Sequence, residues 1–124
     1  MVVKDKKYYD DEGEEYDDKN EYLRDRYEDF GSLLCYFHTK GKTDAEIIKI
    51  FVNVPTFSAE SIKKTIEEAK EVLNLNPFPY EWIYLDCGYK SLDHYSGEPG
   101  ERYYKWTKWI VEVLEEEAKK AGKI

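Results

Sequence analysis

Two cysteines and two histidines give this chain its widest chemical repertoire. Cys35-x-x-His38 sets a thiol and an imidazole on adjacent helix turns. Cys87 and His94 add a second pair, which completes the inventory of a Cys2His2 zinc site. The second pair is Cys-x6-His, however, whereas a zinc finger carries two histidines roughly three to five residues apart. The plainer reading makes Cys35 a small core residue and His38 a polar helix end. No local signature marks either cysteine as a nucleophile. Neither a metal nor a cofactor is expected.

Carboxylates are the next source of chemistry. A glycosidase-type site needs two of them facing each other across a cleft, one held in an apolar wall. Asp86, beside Leu85 and Cys87, and Glu81, beside Trp82, are the acids set in apolar runs. Residues of this kind are more often satisfied at a boundary than held protonated. Gly97-Glu98-Pro99-Gly100 lacks a phosphate-loop pattern. The chain reads as a non-enzyme, with a small metal-dependent hydrolase as a third reading that chelation would test.

Charge is more informative than motif. The 124 residues carry 19 Lys+Arg against 27 Asp+Glu, a net charge of -8. Such a surface repels nucleic acid and anionic lipid and speeds encounter with a basic partner. Neither direct nucleic-acid binding nor membrane binding is therefore expected. Residues 1–29 hold 12 of the acids and 6 of the bases, and between Tyr8 and Asp18 there are seven acids and no base. Residues 1–17 read as an acidic leader, with Asp10, Asp11, Glu14, Glu15, Asp17 and the adjoining Asp18 as steering charges. Two cysteines make no disulfide scaffold, and neither a secretory signal nor an apolar membrane span is visible. A cytoplasmic protein is the expectation.

The elements that must position these groups read as helices. Leu23, Tyr27, Phe30, Leu34 and Phe37 recur at spacings of four and three, which predicts one helix from about Asp18 to Thr39. Gly31 inside it is a place for a kink or for close packing, and Gly41 stops it. Thr43-Asp44-Ala45-Glu46 is a capping box that opens a second helix, closed by Pro55. Ser58 caps a third, with Ala59, Ile62, Ile66, Ala69 and Leu73 on one stripe. A last helix from Pro99 to Ala121 puts Tyr103, Trp106, Ile110, Val113 and Leu114 on one face. The run from Phe78 to Leu85 is too short for periodicity to decide between a helical turn and a strand. The fold class is all-α: a single small domain over residues 18–124, of four to five helices, with one short irregular or strand-like segment near 80–90.

Aromatic residues make up 16% of the chain, with 3 Trp and 12 Tyr. They crowd between Tyr80 and Trp109, and Tyr104 and Trp109 fall off the apolar stripe of the last helix. Acids beside exposed Tyr and Trp compose a surface suited to capturing a basic protein.

Leu33-Leu34-Cys35-Tyr36-Phe37-His38, the Ser58–Leu73 helix, and Tyr103-Tyr104-Lys105-Trp106-Thr107-Lys108-Trp109-Ile110 together resemble an immunity-protein family. Its members accompany contact-dependent growth inhibition and related polymorphic toxin systems of bacteria. Thr39-Lys40 stands where that family has Gln-Asp, and Thr107 where it more often has a large apolar residue. The resemblance implies a small cytosolic protein that binds and blocks the toxin domain of its own strain, often a nuclease with a basic substrate face. On this reading the partner is that cognate toxin domain, and the protein itself is a monomer or weak dimer. The expected contact residues are Asp86, Asp93, Tyr95, Glu98 and Glu101, chosen for their density beside the aromatics. The alternative is an acidic nucleic-acid mimic or regulatory adaptor that binds many basic proteins. Its carboxylates would be spaced like phosphates along one face, and their concentration in the leader argues against it.

Overall fold

A computed structural model describes residues 18–124, and among these α-helices are joined by turns and loops with no strand. The order is α1 (Lys19–Arg26), α2 (Glu28–Tyr36), α3 (Asp44–Val52), α4 (Ala59–Leu73), α5 (Tyr80–Asp86) and α6 (Pro99–Lys120). The expected all-α domain is present, but with six helices rather than four to five. The acidic leader lies outside the described residues.

Local chemistry explains most of the helix starts. Thr43 accepts the Glu46 N–H, and the Glu46 carboxylate reaches back to the Thr43 N–H, so the capping box forms as the sequence requires. Ser58 accepts the Ser61 N–H at the start of α4, and Asp18 accepts from Asn20 at the start of α1. Pro99 occupies the first turn of α6, where its missing N–H costs nothing.

Two expectations are corrected. The single helix from Asp18 to Thr39 breaks at Tyr27, whose backbone (φ -120°, ψ 54°) ends α1 and opens α2. Tyr27 has no side chain suited to capping, and α4 supplies what is missing. Glu68 Oε1 accepts the N–H groups of Asp29 and Phe30, at 3.0 and 3.1 Å. A carboxylate at a helix start satisfies its orphan donors and suits its dipole. The apolar stripe survives the break, since Leu23, Tyr27, Phe30, Leu34 and Phe37 are all buried. Gly31 continues α2 without a kink and lies against the Trp82 ring. The second concerns the segment near 80–90, which its short run leaves between a helical turn and a strand: its first part is the helix α5, so the strand-like alternative falls, and the chain after Asp86 is irregular.

α3, α4 and α5 each pack against both α2 and α6, so the core lies between the latter two. Trp82 of α5 and Trp106 of α6 are its largest members and are fully buried with Phe30, Phe51, Ile62 and Ile110. Burying each such aliphatic or phenyl side chain contributes about 1.5–3 kcal/mol. At the far end, Lys123 donates to the carbonyls of Val52 and Phe57 at 2.6 and 2.8 Å, tying the chain's end to the exit of α3. None of the described helices is long and apolar enough to cross a membrane.

Candidate functional site

The indole N–H groups of the two buried tryptophans must find acceptors inside the fold, and each takes a carboxylate. Trp82 Nε1 donates to Asp86 Oδ2 at 2.7 Å, one helical turn along α5. Asp86 also receives the Arg24 guanidinium of α1, at 2.7 Å from Nη2 and 3.0–3.1 Å from Nε. Its side chain keeps only 12% of its surface exposed. Trp106 Nε1 donates to Asp44 Oδ2 at 3.0 Å, while Lys90 pairs with Oδ1 at 2.8 Å. The Lys90 ammonium also sits 5.8 Å from the Phe37 ring centre and 6.0 Å from that of Trp106. These acids hold helices together, and Asp86, expected at the binding surface, is committed to this work.

The fold brings His38 to the Asp86–Gly88 segment that carries Cys87 and sets His94 apart on Tyr95. Cys35 is exposed, which corrects the core role expected for it. Cys87 is buried and donates weakly to the Tyr84 carbonyl at 3.6 Å. Burial pushes the Cys87 thiol above its ordinary pKa, and partial desolvation followed by the Asp86 charge pushes the exposed Cys35 thiol the same way, the opposite of what an activated nucleophile needs. The His38 ring lies over Gly88, with Nε2 2.8 Å from the Asp86 carbonyl, and the His94 ring packs on Tyr95 at 4.3 Å. Among the described residues no group of three His, Cys, Asp or Glu is placed to hold a metal ion.

The remaining expected residues sit on the loop between α5 and α6 and on the first turn of α6. Asp93 is 83% exposed and 3.6 Å from Arg102, a distance and exposure that bring little stability. Glu98 is the N-cap residue of α6 without a capping bond from its side chain. The Glu101 carboxylate folds back over Gly97, whose φ of 106° only glycine adopts freely. Tyr95 is half-buried against the core and faces a different neighbourhood, beside Asp44 and α3.

Exposed tyrosines complete this face. Tyr84, Tyr89 and Tyr104 are exposed, and the Tyr84 ring meets those of Tyr89 at 5.1 Å and of buried Tyr103 at 5.9 Å. Tyr104 packs its ring edge-on against Phe78 at 5.4 Å. The rings thus form a ledge along the seam of α5 and α6. Tyr89 reaches it from a left-handed backbone (φ 61°), as does Leu92 (φ 52°), conformations that cost a non-glycine residue about 1–3 kcal/mol. Burial of Leu92, pairing of Lys90 and the Tyr103 hydroxyl donating to the Lys90 carbonyl hold the loop there. Burial, followed by the nearby Cys87 and Tyr84, pushes the Tyr103 phenol up, so that hydroxyl stays a donor.

Glu81, Glu98 and Glu101 are exposed on this side without an ion-pair partner among the described residues. Lys19 and Asn20 of α1 share a hollow of about 180 Å³ with Pro77–Trp82. Of the expected steering acids only Asp18 is described, and it caps α1; Asp10, Asp11, Glu14, Glu15 and Asp17 lie outside the described residues. Tyr84 and Tyr89 were not singled out from the sequence as exposed, because each stands among other aromatics with no stripe to sort them. Comparison with protein-family models, with characterised proteins and with solved structures gives no match to this chain.

Proposed function

We propose that this protein is an immunity protein that neutralises a basic bacterial toxin domain, a nuclease by charge, by covering its active or substrate face. One observation carries the reading. Exposed Tyr84 and Tyr104 stand three residues along their helices from exposed Glu81 and Glu101, and no cation of the described fold neutralises Glu81, Glu98 or Glu101. Tyrosine offers area at low entropic cost, and free carboxylates attract a cationic face without first losing an internal partner. The resemblance at Tyr36-Phe37-His38 and in the aromatic last helix supports the same conclusion. Asp86 is not a contact in this account, because its carboxylate holds Arg24 and Trp82.

The test is co-expression with the polypeptide encoded by the neighbouring large reading frame. Restored growth, a stoichiometric complex and an association rate that falls with salt are expected. Turnover of a substrate by this protein alone, or preference for DNA over a basic polypeptide, would refute the proposal.

A further inference from the structure

A second surface lies away from the tyrosine ledge. Thr43, Asp44 and Ala45 at the start of α3 face His94, Tyr95, Trp106 and Trp109 across a groove of about 360 Å³. Trp109 is half-buried at its side, and Asp44 lies in the floor with its carboxylate on the Trp106 indole. Glu112, one turn beyond Trp109 on α6, is exposed and has no ion-pair partner among the described residues. Burial first, then the charges of Asp44 and Glu112, push the Tyr95 phenol up; Asp44 lines the groove, whereas Glu112 does not line it but stands three residues from Trp109 on α6.

The fold already seats one cation on this chemistry. Lys90, which does not line the groove, bonds Asp44 and lies near the rings of Phe37 and Trp106. The groove offers the Asp44 carboxylate beside the half-buried Trp109 indole and Tyr95, with Glu112 one turn along α6 from Trp109; the Trp106 indole is fully buried and donates to Asp44. From this we infer that the groove receives one arginine side chain of the basic partner, its guanidinium stacked on Trp109 and directed at Asp44 and Glu112. Arginine fits better than lysine because a planar cation covers an indole face and still donates in its own plane to flanking carboxylates. For the source of that arginine the inference rests on the function proposed above.

The experiment needs no toxin for its first arm. N-acetyl-arginine amide is titrated into the full chain while the three indole N–H resonances are followed by NMR. Trp109 and Trp106 should shift and Trp82, on Asp86, should not. N-acetyl-citrulline amide, uncharged and nearly isosteric, should move none of them. Glu112→Gln should weaken the titration about threefold, and Trp109→Ala about tenfold or more, whereas Trp109→Phe should restore most of the loss. Equal shifts with citrulline, a response confined to Trp82, or a Kd weaker than about 100 mM would overturn the inference. In the second arm, Glu112→Gln and Trp109→Phe are measured against the neighbouring-frame polypeptide. Arginine binding without toxin binding would remove the proposed function and leave the groove. Toxin affinity unchanged in Trp109→Ala, together with a silent titration, would remove the groove and leave the function.

Discussion

Replacing Asp86 with alanine should damage the fold far more than replacing it with asparagine. Trp82 is fully buried, and Asp86 Oδ2 is the acceptor of its indole N–H. Without that acceptor the N–H stays in the interior unpaired, at a cost of about 1–3 kcal/mol. Arg24 is 49% exposed and returns to water, so loss of the ion pair adds only about 0–1 kcal/mol. Together these predict a loss of about 1–4 kcal/mol, which in a domain this small lowers Tm by about 4–20 °C. Asparagine keeps an oxygen for the indole and loses only the charge, so Asp86→Asn should cost less than about 1 kcal/mol. Urea unfolding followed by circular dichroism measures both, with unchanged m-values as the sign that the two transitions are comparable. Two results would refute the reasoning: Asp86→Ala within about 0.5 kcal/mol of the parent, or Asp86→Asn as damaging as Asp86→Ala. At a temperature where both variants are folded, both should bind the partner like the parent.

Three further outcomes follow from the same contacts. Burial is the main cause that pushes the Glu68 carboxyl up, against the opposing N–H bond from Phe30. The native state therefore holds this proton more tightly than the unfolded chain. The stability the group confers is greatest below the ordinary carboxylate range and is lost as pH rises through the folded value. The stability difference between the parent and Glu68→Gln should accordingly decline as pH rises from the ordinary carboxylate range through the raised folded value, measured by urea unfolding at a series of pH values. Thr107 is buried and donates to the Tyr103 carbonyl at 2.7 Å within its own helix. Thr107→Val should fall within about 1 kcal/mol of the parent by thermal melting, whereas Thr107→Leu should cost about 1–3 kcal/mol by overpacking. Neutralising Glu81, Glu98 and Glu101 together should leave Tm nearly unchanged. In stopped-flow measurements it should slow association with the partner several-fold and flatten its dependence on salt, and an unchanged rate would remove the ledge from the site.

What the sequence revealed and what it hid divide by distance along the chain. The starts of α3, α4 and α6 were legible because Thr43 with Glu46, Ser58 and Pro99 act within three residues of the helices they open. The buried stripes were legible because the 3.6-residue period is a property of one segment. The break at Tyr27 was not legible, since its cap is Glu68, 38 residues from Phe30. Nor could α5 be told from a strand by a seven-residue run, whose helicity follows from packing against α2 and α6.

The same distance explains why candidate acids were hard to choose. In sequence Asp86 and Glu81 look alike, each an acid inside an aromatic run. Asp86 is bound by an arginine 62 residues away, and Asp44 by a tryptophan 62 residues away. Once those partners are known the carboxylates sort into two kinds. Asp44, Glu68 and Asp86 bond the groups that join one helix to another, and removing any of them exposes an unmet donor. Glu81, Glu98, Glu101 and Glu112 lie outside with no such duty, as do Glu21, Glu28, Glu60 and Glu67, and can give their charge to a partner without loosening the fold. A negative chain that had spent all its carboxylates internally would repel anions without attracting a specific cationic face. This one keeps Glu81 and Glu101 unspent, each three residues along its helix from an exposed tyrosine, where the desolvation a partner brings would strengthen each pairing. That pairing of free charge with exposed rings, rather than the net charge of -8, is the physical ground for the inhibitor proposal.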